Sequence, residues 1–521
     1  MESTQNRGKF IAMGGLALVM FLVSLDQTIV GTAMPRIVAE LHGFELYAWV
    51  TTAYLLFETA VIPIVGKLGD IYGRKWMLIS GVVVFLVTSA ICGMAQSMIW
   101  LIIGRGLQGV GGGMIFATTF ALMADIFPDL KERARYQGFL FSVFTLSSVL
   151  GPVIGGTITD TIGWRWLFYI NIPLGAITLF VLPKVLPLNE RQKAKIDYLG
   201  AFTSAVGVII LLLSVEMLNF GYAWNSPLIL GGIITGLLLL ALFVFIETRV
   251  ADPIIPMHIF RNRTLSATTA IMFMNSIAMF GVILYTPLFA QGVLGVSPTT
   301  SGTLMIPMSI MMTLMGIIVG QLMARFEAVK PFLILGHVIL IIGGFLMLTL
   351  SPSSNPWLMS FFLFIFALGL GGLMPATGMM VQLAVNPREI GVAMAATQYI
   401  RSIGATIGTA AIGMVVTNQY LSRFNSTLPS EVPAEAAEIL HNPNALINAE
   451  EMDKLNSVLA NVSNSEGVLN MLLETTRNGL TYAIHSGFWV MIISTIISLG
   501  FVLLTSNLRL TGGPRTGGPV H

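Results

Sequence analysis

The chain has 521 residues, 55% of them hydrophobic and only 10% charged, with a mean hydropathy of +0.83. An ordinary soluble domain is about 25% charged, so this chain cannot cover a water-facing surface of its own size, and lipid is its expected main solvent. The net charge of +2 excludes a basic nucleic-acid face, and the single cysteine, Cys92, excludes an intrachain disulfide or a thiolate metal cluster.

Continuous apolar runs long enough to cross a hydrocarbon core are centred near Met20, Leu56, Phe85, Gly111, Ser147, Ala176, Val208, Gly236, Ala278, Met312, Leu340, Leu368, Gly404 and Ile493. They predict fourteen spans, and their continuity predicts helices rather than a barrel. The first run, Phe10 to Met34, is too long for a signal peptide and contains Asp26, so it reads as a retained membrane helix. The only long hydrophilic segment, about 418–480, falls between spans thirteen and fourteen. It is expected to be a solvated extracytoplasmic loop, with a short amphipathic helix from Glu450 to Leu459; a cap over an outer vestibule is the alternative. Asn425-Ser426-Thr427 also fits a glycosylation acceptor.

Lys and Arg set the orientation. With both termini inside, 20 of the 27 basic residues fall in inner segments and five in outer ones; Arg105 and Arg401 lie within spans. An even number of spans preserves this bias.

Three glycine patterns recur in order. Gly66-Lys67-Leu68 echoes Gly320-Gln321-Leu322, Gly109 to Met114 echoes Gly369 to Met374, and Gly151-Pro152-Val153-Ile154-Gly155 echoes Gly404 to Gly408, at offsets of 254, 260 and 253. Repeated halves are common in transporters. The predicted organisation is an N-terminal six-helix bundle over 1–190, an inserted transmembrane hairpin (spans seven and eight) over 191–250, and a C-terminal six-helix bundle over 251–521.

Several of these segments resemble a known family. Gly66-Lys67-Leu68-Gly69-Asp70-Ile71-Tyr72-Gly73-Arg74-Lys75 resembles the major facilitator signature between helices two and three. Leu25-Asp26-Gln27-Thr28-Ile29-Val30 with Pro35 resembles the first-helix signature of its fourteen-helix drug:proton antiporter branch (EmrB/QacA type). Arg105-Gly106-Leu107-Gln108-Gly109 resembles the fourth-helix signature, and Gly151-Pro152 with Gly155-Gly156 the fifth-helix antiporter signature. Trp164-Arg165-Trp166, Phe168, Asn171 and Pro173 add a run similar to that branch. The resemblance implies an all-α membrane protein of the major facilitator fold. It further implies a clamp formed by Gly66, Asp70, Gly73 and Arg74, and an antiporter hinge at Gly151, Pro152, Gly155 and Gly156.

Physics adds candidates beside the resemblance. An ionisable side chain in lipid costs at least about 2.5–3.5 kcal/mol, so it is usually paired and functional. Asp26, Glu58 and Arg105 lie deep in the first half; Asp26 and Arg105 fall at similar depth in its outer part, and Glu58 near the midplane. Asp26 is expected to act as a protonation switch opposed by Arg105, with Glu58 as a second proton or cation site; a static ion pair orienting helices is the alternative. Asp70 is expected to face the helix start near Glu389 and Gly391. Glu216 and Glu247 are expected at the membrane interface. Gln108, Tyr285, Gln291, Gln398 and Arg401 are candidate substrate-cavity residues, Arg401 as an anion site, as an acid's partner or as a snorkelling side chain. The thirty Met and thirty-one Phe supply an adaptable apolar lining.

The expected function is proton-driven export of amphipathic small molecules across the cytoplasmic membrane. The gradient is the energy source, with no cofactor or metal, and the protein is expected to work as a monomer in the bilayer. Export of a lipid or native metabolite keeps the same fold. A non-transporting scaffold or receptor fits the repeated halves and buried charges less well. No GxxxxGK[ST] loop or catalytic constellation suggests a nucleotide-driven pump or an enzyme.

Overall fold

The computed structural model describes residues 2–41, 46, 49–187, 197–217, 222, 226–427, 432–441, 446, 449–459 and 465–510. Helices run in the order α1 (Glu2–Leu41), α2 (Trp49–Tyr72), α3 (Arg74–Gly93), α4 (Met98–Ile126), α5 (Leu130–Thr161), α6 (Trp166–Tyr169) and α7 (Asn171–Val185). They continue with α8 (Tyr198–Glu216), α9 (Pro227–Glu247), α10 (Arg263–Leu288), α11 (Pro298–Phe326), α12 (Lys330–Met347), α13 (Pro356–Ala384) and α14 (Ile390–Thr427). Last come α15 (Ala434–Leu440), α16 (Ala449–Leu459) and α17 (Ser465–Leu504). Local sequence fixes many starts. Ser97, Asp129, Asn262 and Asn355 cap the first free amides of α4, α5, α10 and α13, and Pro227, Pro298 and Pro356 occupy first turns where no amide donor is needed.

Among the described residues, 13 helical segments are long and apolar enough to cross a membrane, α6 and α7 together making one. The fourteenth expected span, centred near Ser147, is α5. Its packing places it beside α1. Lys9 of α1 meets Glu132 at 3.0 Å, Ser24 donates to the Phe144 carbonyl at 2.8 Å, and Gly151 packs on Thr28. Helix α5 therefore runs parallel to α1 through the same depth.

The start of α1 and the end of α17 lie on one face, called here the terminal face. Lys9 is tied to Glu132, Lys131 to Glu327 at 2.5 Å, and Lys330 to the carbonyls of Leu503 and Thr505 at 3.0 and 2.6 Å.

Two six-helix bundles pack with a pseudo-two-fold relation that the glycine echoes trace. Gly66 of α2 packs on Ala395 of α14, and its counterpart Gly320 of α11 packs on Ala134 and Gly138 of α5. Gly151 of α5 packs on α1 at Thr28, and its counterpart Gly404 of α14 packs on α10 at Phe273. The middle echo needs correction. Gly113 contacts α2 at Glu58, and Gly371 contacts α11 at Met312; positions 58 and 312 are themselves 254 apart. The structural counterparts are thus Gly113 and Gly371, offset 258, because packing on the neighbouring helix sets the register and glycine strings do not.

The hairpin α8–α9 seats on one seam between the bundles. Val208 and Leu212 of α8 join Leu56 and Ala60 of α2 and Ala395 and Tyr399 of α14 in one apolar cluster. Tyr399 donates to the Ser204 carbonyl at 3.0 Å, and Thr52 donates to Glu216 at 2.8 Å.

The hydrophilic segment after span thirteen is more ordered than a solvated loop. Helix α14 continues to Thr427, α15 and α16 follow, and α17 starts at Ser465. The segment Glu450 to Leu459 lies within α16. Tyr420 and Phe424 are fully buried against this cap, with Tyr420 donating to the Leu440 carbonyl at 2.5 Å, and Leu440, Leu455 and Leu459 join the core of the second bundle. Asn425 and its neighbours fall on the last turn of α14.

Candidate functional site

The residues that sequence singles out on α1 and α4 meet inside the first bundle. Arg105 Nη1 lies 2.5 Å from Asp26 Oδ2, with Asp26 0% and Arg105 1% exposed. Asp26 Oδ1 accepts from Gln108 Nε2 at 3.0 Å and from Asn171 Nδ2 at 2.8 Å. Ser89 Oγ receives the same two amides at 3.1 and 2.9 Å and donates to the Phe168 carbonyl at 2.9 Å. Arg105 also donates to Gln108 Oε1 at 2.7 Å and to the Val50 carbonyl at 3.4 Å, and its guanidinium lies 4.3 Å from the centre of the Tyr54 ring. The buried pair is thus surrounded by polar partners from α1, α2, α3, α4 and α7, the condition under which burial of an ion pair is tolerated.

Arg105 and Gln108 stand three apart and so share one helical face. Gln108 belongs to this sealed network and not to a substrate cavity; it is 0% exposed. Ser89 and Tyr54 escape sequence reasoning, because a serine and a tyrosine in apolar helices carry no signal until the helices pack.

Glu58 sits on α2, buried, with both carboxylate oxygens accepting from Gln27 Nε2 at 3.2 and 3.0 Å. Gln27 adjoins Asp26, so one turn of α1 serves both acids. Across the seam, Arg401 of α14 attracts Glu58 electrostatically without forming an ion pair. Arg401 Nε donates to Gln398 Oε1 at 2.9 Å, and its guanidinium lies 6.0 Å from the Phe116 ring centre.

Gln398 and Phe116, the neighbours of Arg401, line a small cleft of about 10 Å³ between the bundles. One wall is aromatic: Phe116 and Phe120 of α4 with Phe141 of α5, Phe120 stacking on Phe141 at 4.9 Å. The other wall is Met272, Gly378, Met394 and Gln398. Gln398 therefore falls on the cleft. Tyr285 and Gln291 are half-buried and do not line it.

The terminal face closes the cleft. Arg133 and Gln137 of α5 meet Gln382 of α13 at 3.3 and 3.0 Å, Ser142 donates to the Thr313 carbonyl at 2.7 Å, and Gly138 lies against Gly316 and Gly320. On the opposite face no hydrogen bond or ion pair among the described residues joins the two bundles. An added Cβ at Gly31, Gly156 or Gly302 there would meet nothing within 4 Å.

The loop motif lies at this closed end. Gly73 turns the chain between α2 and α3 with φ +96°, a conformation that favours glycine. Arg74 bonds Asp70 at 3.1 Å and Asp125 at 3.0 Å, and donates to the Ala121 carbonyl at 3.3 Å. Its guanidinium, and not Asp70 itself, covers Gly391 at the start of α14: a Cβ there would stand 2.8 Å from Arg74 Nη2. Asp125 completes the cluster unannounced, since it lies 51 residues from Arg74 in sequence. Two carboxylates around one guanidinium leave a net negative group at a helix N-terminus, where the macrodipole favours it.

Helix α5 runs unbroken through Gly151 and Gly155. Gly151 seals against Thr28, Gly155 is buried, and Gly156 is open; the side chain of Pro152 lies outside the described residues. Glu247 ends the α9 span, as an interfacial position requires, but its side chain is buried in protein. It is 3% exposed, accepts from the Ile255 amide at 2.9 Å, and stands beside Asp197 at the base of the hairpin.

The fold and the paired charges define a two-bundle membrane transporter. Residues 16–409 match the Major Facilitator Superfamily, and the chain belongs to it. The Bacillus subtilis (strain 168) protein named Multidrug transporter protein MdtP is 37% identical over 526 residues, covering 98% of this chain and 95% of its own. Multidrug resistance protein 3 of the same strain is 32% identical over 509 residues, covering 96% of each. Among solved structures, the human organic anion transporter MFSD10 (TETRAN) superposes with a TM-score of 0.59 at 12% identity, over 93% of this chain and 99% of that one. The proton:xylose symporter XylE superposes with a TM-score of 0.59 at 14% identity, over 97% and 99%. At these identities the two structures speak to the fold alone.

Proposed function

We propose that this transporter is a proton-coupled antiporter that exports amphipathic and lipophilic small molecules, multidrug substrates among them, by alternating access. Its terminal face is cytoplasmic, by the distribution of Lys and Arg, and it works as a monomer in the plasma membrane. The rocking units are the bundles 1–190 and 251–521, with the hairpin 191–250 riding on their seam. In this reading the structure is outward-facing, closed by the Arg133–Gln137–Gln382 contacts and by the Arg74 cluster.

The observation that carries the reading is a fully buried Asp26–Arg105 pair whose network draws on five helices, beside a cleft where the inter-bundle hydrogen bonds among the described residues lie on the terminal face. Protonating Asp26 removes the charge that holds Arg105. Breaking a buried pair costs about 3–5 kcal/mol if nothing replaces it, so proton uptake must be accompanied by a rearrangement around Arg105. Gln108, the Val50 carbonyl and the Tyr54 ring are already in place to receive the freed guanidinium. Glu58, held by Gln27 and attracted by Arg401, serves as the second proton site, at the level of the cleft. A proton bound from outside and released inside drives the outward step of the substrate. Asp70, Arg74, Gly66 and Gly73 form the clamp that holds the cytoplasmic face shut. Gly151 and Gly155 supply the close α5–α1 contact of the antiporter signature, with Gly156 facing the open side.

The test is dye accumulation in inverted membrane vesicles, where export becomes uptake, with and without a protonophore. Wild-type transport is expected to collapse with the gradient, and Asp26→Asn to show no gradient-driven component. Gradient-driven accumulation unchanged in Asp26→Asn would end the reading.

A further inference from the structure

The charges around the cleft are not equivalent. Asp26 and Arg105 satisfy one another, and Glu58 has both oxygens engaged by Gln27. Arg401 differs. Among the described residues its two Nη groups have no hydrogen bond and no ion-pair partner; only its Nε is used, by Gln398 at 2.9 Å. It is half-buried and stands over Phe116, which lines the cleft. Eleven residues separate it from the start of α14 at Ile390, or about 16 Å along a helix, which places it near mid-membrane and beyond a snorkel to the terminal face.

A guanidinium at that depth with a vacant fork is costly unless something supplies a counter-charge. The fork geometry of arginine matches a planar carboxylate through two parallel hydrogen bonds. Glu58 attracts Arg401 across the seam but makes no ion pair with it, being held by Gln27 on the other bundle, so the fork itself stays empty. The surroundings specify the rest of the ligand. Phe116 lies under the Arg401 guanidinium and continues into Phe120 and Phe141, while Met394 and Met272 form the facing wall. The walls are of the aromatic and thioether kind that complements flat rings; the space between them is about 10 Å³, so a ligand must part them.

We propose that the cleft selects aromatic compounds bearing a carboxylate, and that Arg401 is the residue that binds this anionic group. The proposal deepens the exporter reading and depends on the cleft being its substrate site. Arg401 and the methionines belong to the second bundle and the phenylalanines to the first, so an aromatic anion touches both rocking units at once.

The experiment measures binding of two dyes to purified protein by fluorescence anisotropy: fluorescein, an aromatic anion, and a cationic rhodamine built on the same ring system. Fluorescein is expected to bind wild type and to bind Arg401→Gln about tenfold more weakly or worse, the scale of a lost charge-assisted bidentate contact. Arg401→Lys should recover part of the affinity. Rhodamine binding should be unchanged or tighter in Arg401→Gln, which also reports that the cleft is intact. Equal fluorescein affinity in wild type and Arg401→Gln overturns the proposal, as does parallel loss of both dyes in Arg401→Gln. Protonophore-sensitive rhodamine efflux without any fluorescein binding overturns it as well, and leaves the exporter reading standing.

Discussion

Gly138 and Gly316 bring helices of opposite bundles into backbone contact, so close that a methyl group on Gly138 would overlap the Gly316 carbonyl oxygen. The contact lies beside the Arg133–Gln137–Gln382 seam and sets backbone against backbone across the closed face. A side chain there must push the bundles apart. Gly138→Val is expected to weaken closure by about 1–3 kcal/mol, the usual cost of overpacking, and so to shift the population toward the opposite state by roughly tenfold or more. Thiol labelling checks this: a cysteine introduced at Gln382 should react faster in Gly138→Val than in its parent, in a background where the one native cysteine, Cys92, is buried.

The Asp26–Arg105 pair makes an asymmetric prediction about stability. Arg105→Gln strands a buried carboxylate, and an uncompensated buried charge costs about 3–5 kcal/mol. Asp26→Asn leaves Arg105 with Gln108, the Val50 carbonyl and the Tyr54 ring, so its loss should be smaller. The double variant Asp26→Asn with Arg105→Gln should be more stable than Arg105→Gln alone, because no charge remains unpaired. Thermal unfolding in detergent, arranged as a double-mutant cycle, measures the coupling; simple additivity would show that the two side chains do not act as a pair.

Arg74 carries two acids and the start of α14. Arg74→Gln should lower transport strongly, since it frees Asp70 and Asp125 and uncovers Gly391. Arg74→Lys should recover only part, because a point charge cannot bridge both carboxylates in the fork geometry. Transport that is the same for Lys and Gln at this position would argue that charge at the clamp is irrelevant.

On the opposite face, Glu40 accepts from Arg165 and from Trp164 Nε1, the latter at 2.7 Å. The hydrogen bond from Arg165, followed by that from Trp164, holds the Glu40 carboxyl below its ordinary 4.5. A lowered folded-state value means the stabilisation is present above 4.5 and fades as the pH falls below it. Glu40 is 52% exposed, so solvent screening keeps the contribution within about 0–1 kcal/mol. The melting temperature of Glu40→Gln should lie slightly below wild type at neutral pH and converge with it in acid; a gap that widens in acid would contradict the assignment.

The sequence by itself determined the membrane class, the spans and the repeat. Lipid as solvent demands long apolar helices, and Asp26, Glu58 and Arg105 stand out there because a charge in an apolar run is costly wherever it lies. The glycine echoes were legible because close helix contacts tolerate few other residues. Tertiary packing alone decided the rest. It placed Gln108 beside Asp26 instead of in a cavity, added Ser89, Tyr54 and Asp125, buried Glu247, turned the hydrophilic segment into a packed cap, and moved the middle echo by two residues. It also left Arg401 with an open fork while satisfying Arg105. Hydrogen-bond partners tens to hundreds of residues apart are chosen by which helix faces meet, and a linear pattern of apolar and polar residues holds no record of that choice when both faces are apolar.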